Sequence, residues 1–333
     1  MLIQTVVRVW HSVKASANSD AGSFFHLLLF GCDNRHQTIR GFNGVWMFFR
    51  KSTTLIAIRC VDYSPAAERV AERMKSFIPG AEAVFVSDQR RGPQKFPDGL
   101  DVIAITDEKL DSLGLFHQRE NVGWVCGDYC YYAALERQWD SLWLVEPDVG
   151  FFGDAGNIIA KAHSSKADLI GVRLGDRDDD WVWHSRLKRV SNFTETKGVF
   201  FPLTRVSRKL AMNALNVRQA ITAELLADPH SRVPNDESVI ATVAIAAKMK
   251  TLDLKTLNPR AFEKFRWRPP LRWADIETTG ETLIAHPVFE DEGYVEKVGA
   301  KLAEAMRGAG LREQLAVLDD DMLNRVIRAS LGR

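Results

Sequence analysis

Two carboxylates, Glu146 and Asp148, follow directly on a run of Leu142, Trp143, Leu144 and Val145 in the stretch SLWLVEPDVGFFGD, with only Pro147 between them. A continuous apolar run of this kind suits a strand buried on both faces, which cannot accommodate acids along its length. The acids therefore belong at the strand's carboxyl end, where open α/β sheets bind ligands. Residues at i and i+2 of an extended segment point the same way, so the two carboxylates can converge on one hard cation such as Mg²⁺ or Mn²⁺. A cation held there would neutralise a diphosphate.

Other residues offer complementary chemistry. Asp128, in GWVCGDYCYYAALE, is a lone acid on a strongly apolar helical pattern. It must be hydrogen-bonded, favour a helix N-terminus or serve a ligand. The segment GDRDDDWVWHSR carries Trp181 and Trp183, whose flat faces can stack on sugar rings beside hydroxyl-accepting acids. In FEKFRWRPPLRW, Arg266 and Arg268 alternate with aromatics, together with Lys264 and Arg272, which suits a diphosphate, an anionic acceptor or a membrane surface. Asn235 is placed to cap a helix whose first turn holds Asp236 and Glu237.

The elements that must position these residues are legible from Thr53 onward. TTLIAIRC is a buried-strand run, Ser64-Pro65 supplies an N-cap and a first-turn proline, and Ala67, Val70, Met74 and Phe77 recur at helical spacing up to Pro79-Gly80. Further strands are expected at 83–88, 101–107, 141–148, 167–174, 198–204 and 250–254, with helices at 125–138, 206–215 and 237–248. This alternation predicts an α/β fold, an αβα sandwich on a mainly parallel central sheet of Rossmann-related type, followed by two C-terminal amphipathic helices between Tyr294 and Arg333. Residues 1–46 do not share the rhythm and are expected to form a nonessential N-terminal extension, with Met47 an alternative natural start. The catalytic domain is then expected over 47–290 and a helical segment over 291–333.

At this point the chain resembles the GT-A type of nucleotide-sugar glycosyltransferases, with Glu146-Pro147-Asp148 as an ExD variant of their DxD motif. The resemblance spans about residues 50–290 and rests on the order of features: the GDYCYYAALE helix, the strand with its two acids, then FPLTRVS and PNDESV. It implies transfer of a sugar from a nucleoside-diphosphate sugar to a carbohydrate or glycoconjugate acceptor, with Mn²⁺ or Mg²⁺ as cofactor, as in polysaccharide biosynthesis. It further implies His286 as a third metal ligand and a first-turn carboxylate, Asp236 first and Glu237 second, as general base in an inverting member. Arg59 and Asp62 after the first strand, and Ser87 and Asp88 after the second, would cup the nucleoside, and Asp128 would line the cleft. The alternatives are a sugar-phosphate nucleotidyltransferase and a non-catalytic nucleotide- or carbohydrate-binding protein on the same scaffold.

Composition narrows the remainder. A formal net charge of +1 over 333 residues does not suit a dedicated nucleic-acid binder. The four cysteines, Cys32, Cys60, Cys126 and Cys130, are too few and too scattered for a disulfide framework, so reduced thiols in the cytosol are expected, with Cys126 and Cys130, spaced to share one helix face, as buried thiols. No apolar run reaches the roughly 18 to 20 residues a membrane span needs. The expected location is the cytoplasm, with room for peripheral contact at the inner face of the membrane. No P-loop or glycine-rich dinucleotide fingerprint follows the first strands, which disfavours a kinase or a dinucleotide oxidoreductase.

Overall fold

The structure, a computed structural model, describes residues 36–40, 46–50, 53–228, 230–307, 311–316 and 318–331. In chain order the elements are β1 (His36–Arg40), β2 (Trp46–Arg50), β3 (Thr54–Cys60), α1 (Pro65–Phe77), β4 (Glu82–Asp88), β5 (Val102–Ile105), α2 (Asp107–Ser112), α3 (Val122–Val125), α4 (Tyr129–Ala133), β6 (Ser141–Val145) and β7 (Gly150–Phe152). There follow α5 (Ala155–His163), β8 (Leu169–Gly175), α6 (Trp183–Arg189), β9 (Gly198–Ser207), α7 (Arg208–Ala227), α8 (Asp236–Ala246), β10 (Thr251–Asp253), β11 (Leu271–Arg272), α9 (Trp273–Glu277), β12 (Leu283–Ala285) and β13 (Val288–Phe289). The C-terminal helices are α10 (Asp291–Arg307), α11 (Leu311–Ala316) and α12 (Asp320–Ser330).

The chain divides into two units, residues 1–51 and 52–333. In the first, β1 and β2 form an antiparallel pair with His36 opposite Arg50. Most of the expected 1–46 extension, including its GFNG stretch at 41–44, lies outside the described residues.

The second unit is built on a seven-stranded sheet in the order β10-β8-β9-β6-β3-β4-β5. Among these strands β9 alone runs opposite to the rest, pairing antiparallel with both β6 and β8. The sheet is thus mainly parallel. Alternate side chains of each strand point to opposite faces, and both faces are covered. Leu55, Ala57, Leu142 and Leu144 pack with Tyr131, Leu210 and Ile240 on one side. Ile56, Ile58, Trp143 and Val145 pack with Val70, Met74 and Ile159 on the other. All five residues of β6 are buried, each large apolar one contributing about 1.5–3 kcal/mol, so the strand is fixed in place up to the residue before Glu146. The αβα sandwich expected from the sequence is the fold observed.

Local chemistry explains the boundaries. The Ser64 hydroxyl accepts the Ala67 amide at 3.2 Å and Pro65 opens α1. Gly80, at φ 85°, takes the left-handed turn that ends it. Asn235 caps α8 by accepting the Ser238 amide at 3.0 Å. Two helix expectations change. The helix expected over 125–138 is broken at Cys126–Asp128 into α3, α4 and a 3₁₀ turn at Ala134–Glu136, so Cys126 and Cys130 do not share one helix face; both are buried thiols nonetheless. The strand expected to end at Thr204 runs on to Ser207, whose hydroxyl then caps α7 by accepting the Leu210 amide. Three helices rather than two follow Phe289 among the described residues. None of the described helices is long and apolar enough to cross a membrane.

Candidate metal centre and nucleotide cavity

The carboxyl ends of β3, β4, β5 and β6 border a cavity of about 720 Å³. Its lining includes Arg59, Asp62, Asp88, Glu146 and Asp148. Lys297 of α10 and Phe289 close another part of the wall, with the Lys297 ammonium 5.9 Å from the Phe289 ring.

Beyond β6 the chain turns at Glu146–Asp148, the Val149 amide donating to the Glu146 carbonyl at 3.1 Å. It re-emerges as β7, which pairs antiparallel with β12 so that Ala285 lies opposite Gly150. That register carries the next residue, His286, alongside the turn. The Val288 amide fastens it by donating to the Asp148 carbonyl at 2.8 Å. The sequence-distant histidine thus reaches the two acids through a short two-stranded sheet. Its Nε2 lies 3.4 Å from Asp148 Oδ1 and 3.7 Å from Glu146 Oε2.

Glu146, Asp148 and His286 each offer a ligand atom, all within 4.8 Å of one another. His286 Nδ1 lies 2.9 Å from the Arg266 carbonyl, which fixes the proton on Nδ1 and turns Nε2 toward the carboxylates, as in metal-bound imidazoles whose other ring nitrogen donates to a carbonyl. Two carboxylate oxygens and one imidazole form a donor set that could hold a divalent cation. Without a cation, burial works against charge on His286, but hydrogen bonding and charge from Asp148 and Glu146 win and push its pKa up to about 10. A proton on Nε2 then holds the two acids together.

Arg59 organises the other side of Glu146. Its Nη1 donates to Glu146 Oε1 at 2.7 Å, and its Nη2 donates to the carbonyls of Gly123 and Trp124 at 2.8 and 2.9 Å. Asp236 Oδ2 lies 3.6 Å from the same Nη1. Burial disfavours the Arg59 charge, but Glu146 and Asp236 outweigh it and hold the guanidinium above its ordinary value. Although burial pushes the other way, Arg59 and His286 hold the Glu146 carboxyl below the usual range.

Asp236 and Glu237 occupy different environments. Asp236 is buried; its Oδ2 accepts the Gly127 amide at 2.9 Å and its Oδ1 the Glu237 amide at 2.7 Å. Burial raises its carboxyl well above the usual range, against the pull of Arg59. Glu237 is partly exposed. Burial, reinforced by the nearby Glu146 charge and opposed by Arg177, raises it to about 7.

The structure thus brings Arg59, Glu146, Asp148, His286, Asp236 and Glu237 near one another; Arg59, Glu146 and Asp148 line the cavity with Asp62 and Asp88, whereas His286, Asp236 and Glu237 are not among its lining residues. Asp88 is held by a two-pronged pair with Arg90, at 2.9 and 2.7 Å. Other expected residues lie elsewhere. The Ser87 hydroxyl is fully buried and donates to the Val61 carbonyl at 2.6 Å, bracing the turn after β3 rather than lining the cavity. Asp128 is also fully buried; its two oxygens accept Arg218 at 2.7 and 2.8 Å and the Tyr132 hydroxyl at 2.8 Å. Trp181 stacks edge-on with His184, and Trp183 lies under the Arg186 guanidinium at 4.3 Å. Arg266 contributes its carbonyl to His286, while Arg268 is exposed beside the Trp267 ring. Neither tryptophan of that first loop and neither arginine lines the large cavity.

Sequence reasoning passed over the backbone of Gly123, Trp124 and Gly127. A Cβ on Gly127 would stand 2.4 Å from Arg59 Nη1 and 2.6 Å from Asp236 Oδ2, so only glycine lets the chain pass this close to the pair. The two glycines within VGWVCGD, Gly123 and Gly127, were the available signal.

No family model and no curated protein matches the chain. Among solved structures it is similar to an active-site mutant of LgtC, at 10% identity over 73% of this chain and 82% of that one, with a TM-score of 0.35.

Proposed function

We propose that the chain is a metal-dependent glycosyltransferase that moves a sugar from a nucleoside-diphosphate sugar to an acceptor hydroxyl. The observation that carries this reading is the Glu146–Asp148–His286 group at the carboxyl end of a central strand, at the wall of a cavity large enough for a nucleotide. When bound by these three residues, a divalent cation would supply positive charge for the diphosphate leaving group.

The chain's own residues do the rest. Arg59 fixes Glu146, and the Arg266 carbonyl fixes the ring of His286. Asp62 and Asp88 lie on the side of the cavity formed by β3 and β4, where a nucleoside would sit. Glu237 is the general base in this reading: its carboxyl titrates near neutrality and is partly exposed, whereas Asp236 is sealed and tied to two amides. The acceptor oxygen bonds to the anomeric carbon as the carbon–oxygen bond to the diphosphate breaks, and the hydroxyl proton passes to Glu237.

The test is Asp148→Asn, which keeps shape and removes charge. Thermal shifts are read with a panel of nucleoside diphosphates and their sugars, with and without Mn²⁺, followed by assay of free diphosphate. The variant should keep the parent's melting temperature to within about 2 °C and lose the Mn²⁺-dependent shift and the turnover. An Asp148→Asn protein that binds and turns over like the parent refutes the reading, and a parent that binds sugar nucleotides without releasing diphosphate makes it a binding protein.

A further inference from the structure

Of the aromatic side chains described, two stand mostly in solvent, Trp124 at 59% exposure and Trp267 at 51%. Tryptophan is ordinarily highly buried, because its ring removes a large apolar area from water. Trp139 and Trp143 follow that rule and are buried, and Trp181, Trp183 and Trp273 are half-buried. The two exceptions come from distant parts of the chain and yet meet, with ring centroids 5.9 Å apart and planes inclined at 59°. Scattered single apolar residues on a surface need no explanation; two large rings brought together there do.

Both rings are held from below. Trp124 sits in α3 between the buried Val122 and Val125, and its carbonyl accepts Nη2 of Arg59, the arginine that fixes Glu146. Trp267 follows Arg266, whose amide donates to the His286 carbonyl at 3.1 Å and whose carbonyl holds His286 Nδ1. Phe265, one residue earlier, is buried with its ring centroid 5.6 Å from that of His286. The backbones that carry the two rings are therefore tied to the candidate metal centre while the rings themselves face water. A recognition group held rigid in advance loses less freedom on binding. Trp124 belongs to the wall of the large cavity and Trp267 does not, so the pair runs from the rim of the cavity out onto the surface.

The surroundings select the occupant. Beside Trp124 the cavity wall carries Arg59, Glu120, Asn121 and Glu146, and the exposed Arg268 has its guanidinium 5.9 Å from the centre of the Trp267 ring. Apolar faces ringed by charged and amide groups do not suit a lipid tail, which would strip water from those groups without replacing its hydrogen bonds. They suit a pyranose. Its axial C–H bonds form an apolar face of weak positive charge that meets the negative face of an indole, and its hydroxyls point outward to carboxylate, amide and guanidinium partners. We infer that Trp124 and Trp267 form a stacking platform for a pyranose ring of the acceptor, at the mouth of the nucleotide cavity, which makes the acceptor a glycan or glycoconjugate. Assignment of that ring to an acceptor rests on the glycosyltransferase reading; carbohydrate binding at the two tryptophans does not.

The experiment is calorimetric titration of the full chain with cellobiose, maltose and lactose, in EDTA and without nucleotide, each up to about 50 mM. The proteins are the parent, Trp124→Ala, Trp267→Ala and Trp267→Phe, and each is also titrated with UDP and GDP in the presence of Mn²⁺. At least one disaccharide should saturate the parent and bind at least about tenfold more weakly to either alanine variant, as expected for loss of a central aromatic contact. Trp267→Phe, which keeps a flat ring, should restore most of that loss. Because its ring is exposed and outside the cavity, Trp267→Ala should keep the parent's melting temperature and hold its nucleoside-diphosphate affinity to within about twofold. Absence of saturation by every sugar overturns the proposal, as does a sugar affinity unchanged in either alanine variant. Loss of nucleoside diphosphate in Trp267→Ala would place a nucleobase on the platform and overturn it too. So would sedimentation with phosphatidylcholine–phosphatidylglycerol vesicles that requires Trp267 while no sugar binds. A parent that binds a disaccharide yet releases diphosphate from no sugar nucleotide removes the proposed function and leaves the platform standing; transfer to a disaccharide with the same acceptor KM in Trp267→Ala keeps the function and removes the platform.

Discussion

Replacing Asp128 by Asn separates a structural role from a ligand-binding one. The Asp128 carboxylate is fully buried and receives Arg218 Nε and Nη2 and the Tyr132 hydroxyl, while Arg218 is 1% exposed. The Arg218 charge survives burial because Asp128 is there; its guanidinium is held well above its ordinary value against the desolvation penalty. Asn keeps the volume and removes the charge, leaving a guanidinium buried without a counter-ion. Breaking a buried pair in this way costs about 3–5 kcal/mol. For a domain of this size about 2 °C of melting temperature corresponds to each kcal/mol, so a fall of roughly 6–10 °C is expected. The double variant Asp128→Leu/Arg218→Met removes both charges and should melt no lower than either single substitution, because apolar replacement of a buried pair is commonly neutral or better. Thermal and urea melts of Asp128→Asn, Asp128→Leu, Arg218→Met and the double variant measure this directly, with the nucleotide-induced shift recorded alongside. If Asp128→Asn stays within about 1 kcal/mol of the parent and instead loses the nucleotide-induced shift, Asp128 is a ligand group and the structural argument fails.

Further outcomes follow from the same geometry. Gly127→Ala should displace the Arg59–Asp236 pair and weaken Mn²⁺-dependent nucleotide binding at least tenfold, whereas Gly299→Ala, where a Cβ meets nothing within 4 Å, should not; equal effects would refute the close-approach argument. Because a proton on His286 Nε2 occupies the place a cation would take and titrates near 10, Mn²⁺ affinity should improve about tenfold per pH unit between pH 6.5 and 8.5. A titration showing no pH dependence would count against His286 as a ligand. Glu237 is raised from 4.5 to about 7 by burial, so the folded state keeps a proton that the unfolded chain releases above about pH 4.5. Its contribution to stability is therefore present below pH 4.5 and lost as pH rises to 7. Glu237→Gln should flatten that part of the stability–pH curve, and an unchanged slope would show that the carboxyl is not raised.

The parts of the site that were legible from sequence depend on local rules. A strand of five buried residues must end before two carboxylates, and a Ser-Pro or Asn-Asp-Glu step must open a helix; the positions of Glu146, α1 and α8 followed from these alone. The sheet register did not. His286 meets Asp148 because Ala285 pairs with Gly150 across a strand pair separated by more than a hundred residues, and no periodicity in either segment specifies that partner. The same holds for Asp128. As a lone acid on an apolar pattern it had to be satisfied by something, but its partner, Arg218, sits on a helix whose pattern gives no sign that an arginine faces inward. The Asp128 case places the unseen information in the segment 121–128. Its backbone carbonyls hold Arg59, its Gly127 amide holds Asp236, and its Asp128 holds Arg218, which in turn holds the Pro234 carbonyl. A helix running unbroken from residue 121 through this segment would have spent those carbonyls and the Gly127 amide on its own hydrogen bonds. The break at Cys126–Asp128 therefore leaves them available to join the ends of β3 and β6 to the first turn of α8.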